Sequence, residues 1–181
     1  MEWMMGLDGQ ILIYIQEVVR NEFFTSLFRG ITALGDSGAA WVVLSLVLLI
    51  PRKTRKAGVM SLTALVFSFL VNNLMLKNLV GRVRPYEVVE GLVPLIPRPW
   101  DYSFPSGHTG SSFASAWVFF RKLPRWAGIF LLVMAGLIGL SRLYLGVHYP
   151  TDVLFGAVSG ILCGYAAEIV VEQIVSRRPG A

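Results

Sequence analysis

The chain has 181 residues, 55% of them hydrophobic and 15% charged, and its mean hydropathy of +0.63 lies outside the range of soluble globular domains. That balance excludes an ordinary soluble fold and points to a single integral membrane domain. The net charge of +5 would otherwise suggest nucleic acid, but the sixteen basic residues are placed for a bilayer and an anion site, so no nucleic-acid partner is expected.

The first residues, Met1-Glu2-Trp3-Met4-Met5, lack the basic n-region and small-residue cleavage site of a signal peptide, so nothing there looks removable. Residues 8–34 carry Ile11, Ile15, Val18, Val19 and Phe23 at helical spacing, interrupted by Gln16, Glu17, Arg20, Asn21, Glu22 and Arg29. This predicts amphipathic helices lying at the membrane surface over residues 1–35, the alternative being a poorly hydrophobic first span. Gly35-Asp36-Ser37-Gly38 breaks the pattern, and a transmembrane core over 36–176 follows.

Five spans are expected in that core: Ala39 to Ile50 with its flanks, Ala57 to Leu76, His108 to Phe120, Trp126 to Leu140, and Val153 to Val175. Gly81 to Ser103, with four prolines and no helical period, reads as a loop. The fold class is therefore an all-α, polytopic transmembrane helical bundle of five spans, with six the alternative. Basic clusters at Arg52, Lys53, Arg55 and Lys56, at Arg121, Lys122 and Arg125, and at Arg177 and Arg178 mark the cytoplasmic side. Residues 77–108 and 141–152 then share the extracytoplasmic face. Cys163 stands alone in an apolar run, which excludes an intrachain disulfide and a cysteine metal site.

Three polar clusters meet on that face. In the first, Lys77 and Arg84 are seven residues apart; on a continuous helix they would share a face roughly 10 Å apart, with Pro85 ending it. Two cations facing one way suit an anion, although a snorkelling pair would look the same. In the second, Pro105-Ser106-Gly107-His108 opens a span, and a Pro-Ser-Gly turn feeding a helix offers free N–H groups to a phosphate, with His108 a candidate proton donor. Chance would place that tetrapeptide in a chain of this length on the order of one time in a thousand. In the third, Ser141-Arg142 precedes His148 and Asp152, four residues apart across Pro150. Proline suits a first helical turn, so one turn can bring carboxylate to imidazole, a nucleophile or base with its orienting acid. Both histidines of the chain lie in these clusters.

Together these residues resemble the type 2 phosphatidic acid phosphatase (PAP2) superfamily of lipid phosphatases, which shares its site with vanadium haloperoxidases and glucose-6-phosphatase. The signature is Lys, six residues, Arg-Pro; then Pro-Ser-Gly-His; then Ser-Arg, five residues, His, three residues, Asp. All three parts are complete here, in Lys77 with Arg84-Pro85, in Pro105 to His108, and in Ser141-Arg142 with His148 and Asp152. The resemblance implies that His148 attacks phosphorus to form a phosphohistidine, supported by Asp152. His108 would protonate the leaving oxygen and then activate water. Lys77, Arg84, Arg142 and the N–H groups of Ser106 and Gly107 would hold the phosphoryl oxygens. It implies no metal and no cofactor, and Glu87, Glu90 and Asp101 show no ligand-like spacing.

Many bacterial relatives carry a further N-terminal span or a sizeable extracytoplasmic insertion, and neither is evident here. The expected substrate is a membrane lipid with its phosphate or diphosphate at the outer face. Undecaprenyl diphosphate ranks ahead of phosphatidylglycerophosphate or phosphatidic acid, and those ahead of lipid A phosphate. No obligatory protein partner is expected. A haloperoxidase is disfavoured by the membrane-like composition, and a lipid-binding or transport protein that lost turnover by the presence of His108, His148 and Asp152.

Overall fold

A computed structural model of the chain describes residues 2–177; Met1 and the tail from Arg178, second member of the last basic cluster, lie outside the described residues. All the regular secondary structure among those residues is helical, with no strand: α1 (Glu2–Tyr14), α2 (Glu22–Ala33), α3 (Ala39–Leu49), α4 (Arg55–Ser68), α5 (Lys77–Val80), α6 (Pro85–Val88), α7 (Gly107–Lys122), α8 (Arg125–Tyr144) and α9 (Pro150–Ser176). A π-helical stretch, Phe69–Leu76, joins α4 to α5 without a break.

Helices stand where all five spans were expected, but the count of five is not reached on length and composition. Arg55–Val88, Arg125–Tyr144 and Pro150–Ser176 are long and apolar enough to cross a bilayer, and α2 with Asp36–Leu49, bent by 41°, makes a fourth if that pair is one broken span. Helix α7 has 16 residues, short of the roughly 20 a hydrocarbon core needs. The polarity of the molecule is that of a membrane protein. Val43, Leu46, Phe130, Val133, Leu154, Phe155 and Leu162 point outward, while Ser45, Ser61, Ser68 and Asn72 are buried. The inward polar groups satisfy one another, Trp41 Nε1 donating to Ser112 Oγ at 2.9 Å and Ser159 Oγ to Asn72 Oδ1 at 2.7 Å.

Helix α7 is the centre, packed against α4, α8 and α9. Its approach to α9 is close because Gly156, Gly160 and Gly164 fall one turn apart on a single face. A Cβ at Gly160 would lie 2.4 Å from the Gly110 carbonyl oxygen, and one at Gly164 2.7 Å from that of Ala114. Backbone therefore packs directly on backbone.

The N-terminal segment differs from the expected interfacial helices. Helix α2 carries its apolar residues on one side, but α1 does not. Leu12 is fully buried against Leu92 and Tyr149. The polar residues that interrupt the apolar pattern bind a loop: Gln16 Nε2 donates to the Gly91 carbonyl at 2.9 Å, Arg20 Nη1 to Val93 at 2.7 Å and Arg29 Nη2 to Leu95 at 2.7 Å. Both helices thus pack over the end of the bundle that carries the three polar clusters.

Residues 81–103 form the expected loop except for the single turn of α6. Gly81, at φ +59°, closes α5 by donating its N–H to the Lys77 carbonyl at 3.0 Å. The helix therefore stops short of Arg84, and the expectation that Lys77 and Arg84 share a helical face is corrected.

Candidate active site

His148 lies in the turn between α8 and α9, which Gly146 reverses at φ +72°. Pro150 is the first residue of α9, as its fixed φ favours, and this sets Asp152 in the first turn beside the histidine. Asp152 is fully buried. Its Oδ2 accepts from Tyr149 N–H at 2.9 Å and from Ser103 Oγ at 2.5 Å, and faces His148 Nδ1 at 3.4 Å. Its Oδ1 accepts from Arg82 Nη1 at 2.7 Å. With Nδ1 turned to the carboxylate, Nε2 of His148 points to the cations, 3.3 Å from Arg84 Nη1. Burial pushes the His148 imidazole down to about 3, helped by Arg84 and Arg142 and opposed by the Asp152 hydrogen bond. The ring is therefore neutral at physiological pH, its Nε2 lone pair accepting from Arg84 Nη1 and aimed at the place where that guanidinium would hold a phosphate.

Lys77 and Arg84 come together through Asp101 rather than through a helix. Lys77 Nζ is bonded to Asp101 Oδ2, while Arg84 donates from Nη2 to Oδ1 at 2.6 Å and from Nε to the Asp101 carbonyl at 2.8 Å. Burial alone would raise the Asp101 carboxyl, but the Lys77 hydrogen bond and the charges of Lys77 and Arg84 hold it down at about 2. A carboxylate thus sits on two of the cations expected to hold phosphate. Arg142, buried on α8, donates from Nη1 to Thr32 Oγ1 at 2.7 Å, and its Nε is left without a partner. A buried guanidinium N–H without an acceptor suits an incoming anion.

At the start of α7, Ser106 is the N-cap, its hydroxyl accepting from Thr109 Oγ1 at 2.9 Å. Its own N–H donates to the Asp152 carbonyl at 3.1 Å. In this structure the Ser106 N–H is engaged by that bond, which ties the α7 turn to α9. Gly107 and His108 follow, with first-turn N–H groups that have no acceptor within the helix. His108 Nε2 lies 2.8 Å from Asp36 Oδ1.

A cavity of about 490 Å³ collects these groups, lined by Lys77, Arg84, Gly107, His108, Arg142 and His148 together with Asp101 and Trp100. The seven-residue, four-residue and tetrapeptide spacings of the sequence thus converge on one place. Ser106 and Asp152 stand behind the wall. Among the described residues no three His, Cys, Asp or Glu side chains are grouped as metal ligands.

The sequence reading missed four polar partners. Asp101 has no ligand-like spacing to mark it, and nothing in the local sequence pattern marks Asp8, Asp36 or Arg82. Arg82 stacks 3.8 Å over the Tyr149 ring and joins Asp152 to Asp8, whose Oδ2 it meets at 2.7 Å. These contacts span 17 and 24 residues of chain in the case of Asp101 and about seventy for the others, so no local pattern announces them.

Comparison with known proteins agrees with this geometry. The PAP2 superfamily model matches residues 57–175. An undecaprenyl-diphosphatase of Sulfolobus acidocaldarius is 33% identical over 120 residues, 66% of this chain and 58% of that protein; this chain therefore spans less than two thirds of that relative. A lipid A 4'-phosphatase of Bacteroides thetaiotaomicron is 28% identical over 97% of this chain and 82% of its own length. The crystal structure of a transmembrane PAP2 type phosphatidylglycerolphosphate phosphatase from Bacillus subtilis superposes with a TM-score of 0.76 at 30% identity, covering 96% of this chain and 88% of that one. The all-helical membrane fold, the converging histidines and cations, and a family match across most of the chain lead to one conclusion: this protein belongs to the PAP2 superfamily.

Proposed function

We propose that the cavity hydrolyses the phosphate or diphosphate head of a membrane lipid by way of a phosphohistidine, without a metal. The observation that carries this reading is the orientation of His148. Its Nδ1 faces Asp152 while its Nε2 opens on a cavity walled by Lys77, Arg84 and Arg142. In the first step Nε2 bonds to phosphorus as the bond to the leaving oxygen breaks, and His108 gives that oxygen a proton. The new imidazolium is held by Asp152. In the second step water attacks phosphorus, His108 takes its proton, and the N–P bond breaks to release inorganic phosphate. The three cations and the Gly107 N–H stabilise the equatorial oxygens in both steps.

The substrate phosphate exchanges with the Asp101 carboxylate on Lys77 and Arg84. The lipid tails stay in the bilayer. Undecaprenyl diphosphate is the first-ranked substrate, followed by phosphatidylglycerophosphate or phosphatidic acid, then lipid A phosphate. Relatives named for three of these substrates share the fold or the sequence, so similarity does not choose between them. The site faces the extracytoplasmic side. Supporting this, Lys56 and Lys122, from two of the basic clusters, meet Glu172 at the far end of the bundle.

The test is phosphate release by the detergent-purified protein from these lipids, in EDTA, beside His148→Ala. Release that survives EDTA and is lost in the variant supports the reading, and the preferred lipid fixes the substrate. A folded protein that binds the lipids and releases nothing is a binding or transport protein instead.

A further inference from the structure

The segment Gly35-Asp36-Ser37-Gly38 lies before the region matched by the family model, which begins at residue 57, yet Gly35, Ser37 and Gly38 line the catalytic cavity. Its backbone is unusual. Ser37, at φ +53°, is the one non-glycine with a positive φ among the described residues, and Gly38 follows at φ +66°. Strained backbone of this kind persists where the surroundings demand a particular placement. Here the placement concerns His108. Gly35 lies so close that a Cβ would come within 2.9 Å of His108 Cδ2 and 2.8 Å of Ile138 Cγ2. The turn after it sets Asp36 Oδ1 2.8 Å from His108 Nε2. The ring is thus seated on a glycine and held at one nitrogen, which leaves Nδ1 to exchange a proton with a substrate oxygen.

Burial of the ring first, and the charges around it second, explain why a carboxylate is needed beside His108. Arg142 faces it from α8 and Lys77 from α5, with Arg84 and His148 across the same cavity. A general acid among cations tends to lose its proton before it can use it. Asp101 offers no relief, since it is bonded to Lys77 and Arg84. Asp36 is the carboxylate in contact with the ring. Its side chain is 65% exposed, against 22% for that of His108.

We propose that Asp36 is a positioning residue for proton transfer, fixing the His108 ring through Nε2 and sustaining its imidazolium until the leaving oxygen takes the proton from Nδ1. The proposal rests on the role given to His108 above and extends the working site beyond the three sequence clusters. In atoms the cycle closes on His108: it gives one proton to the leaving group and regains one from water, while Asp36 stays ionised.

A leaving group that needs no proton separates this role from a structural one. The kcat/KM of the detergent-purified protein is measured for phosphatidic acid, whose leaving alkoxide needs protonation, and for 4-nitrophenyl phosphate, whose leaving phenolate needs little. The comparison includes His108→Ala, Asp36→Asn and Asp36→Glu. General acid catalysis contributes about 10²–10⁴-fold, so His108→Ala should lose on the order of a hundredfold more against the lipid than against the aryl ester. Asp36→Asn should show the same selectivity at about tenfold, with its alkaline limb moved to lower pH, and Asp36→Glu should recover part of both. Equal losses on the two substrates, or an unmoved alkaline limb, would overturn the role of Asp36. No selectivity in His108→Ala would overturn the assignment of His108 itself, and the proposal with it.

Discussion

The α7–α9 seam and the site beyond its end are held together by opposite means. Along its length, Gly156, Gly160 and Gly164 bring backbone against backbone, with no room for a methyl group. Beyond its mouth end, the site is assembled from polar groups on α5, α8, α9 and the 81–103 loop that can change partners: a 3.4 Å approach of His148 to Asp152, an Arg142 Nε with no partner, and a carboxylate paired with Lys77 and Arg84. Rigid packing fixes where the catalytic groups stand, and the looser polar end leaves them able to exchange one anion for another. The two meet at Gly156, where a Cβ would lie 2.8 Å from the Ser106 carbonyl oxygen. The seam therefore sets the distance between the Gly107–His108 turn and Asp152.

If the comparison holds, activity and stability separate by position. His148→Gln should lower phosphate release on the order of a thousandfold or more, with thermal unfolding little changed. The reason is that Asp152 keeps its bonds from Arg82, Ser103 and the Tyr149 N–H. Gly160→Ala should do the reverse. A Cβ 2.4 Å from the Gly110 carbonyl oxygen cannot be absorbed by a side-chain rotation, and overpacking of this kind costs about 1–3 kcal/mol or more. Gly136→Ala on α8, where nothing lies within 4 Å of the added methyl, is the matched control. It should be neutral or stabilising in the same thermal melt, because alanine is the better helix former.

A smaller effect is expected at Asp101. Removing its charge in Asp101→Asn frees Lys77 and Arg84, so inorganic phosphate should inhibit the variant about tenfold more tightly, an energy near 1.4 kcal/mol. The same carboxyl supplies the pH test. Its folded value of about 2 lies below the ordinary carboxyl value of 3.8, so its contribution to stability is complete above pH 3.8 and is lost as pH falls through about 2. Melts of the wild type should show an acid destabilisation in that window that Asp101→Asn lacks. It should be modest, because Asp101 is about one-third exposed.

Much of this was legible in the chain, and the reasons differ by element. Pro150 between His148 and Asp152 gave both the start of α9 and the pair beside it, because the proline rule and the four-residue spacing act within one helical turn. Gly81 carried an equally local signal, a helix end, that bears on Lys77 and Arg84; a left-handed glycine there rules out one continuous helix through both. The glycines of α9 also stood in plain four-residue spacing. Asp8, Asp36 and Asp101 could not be found this way. A carboxylate that partners a cation or histidine on another element leaves no periodic trace. In the N-terminal segment, Gln16, Arg20 and Arg29 looked like a membrane-surface face because only their polarity is visible in sequence, whereas their partners are carbonyls of residues 91–95.

The central claim is that His148 carries the phosphoryl group, and trapping that intermediate tests it most directly. The His108→Ala protein should still react with 4-nitrophenyl phosphate but lack the base that activates water. Rapid mixing should then give a burst of about one nitrophenolate per protein, together with an alkali-stable, acid-labile phosphoryl group on the peptide containing His148. Steady release of nitrophenolate with no burst and no label on His148 would contradict the account and leave direct attack by water in its place.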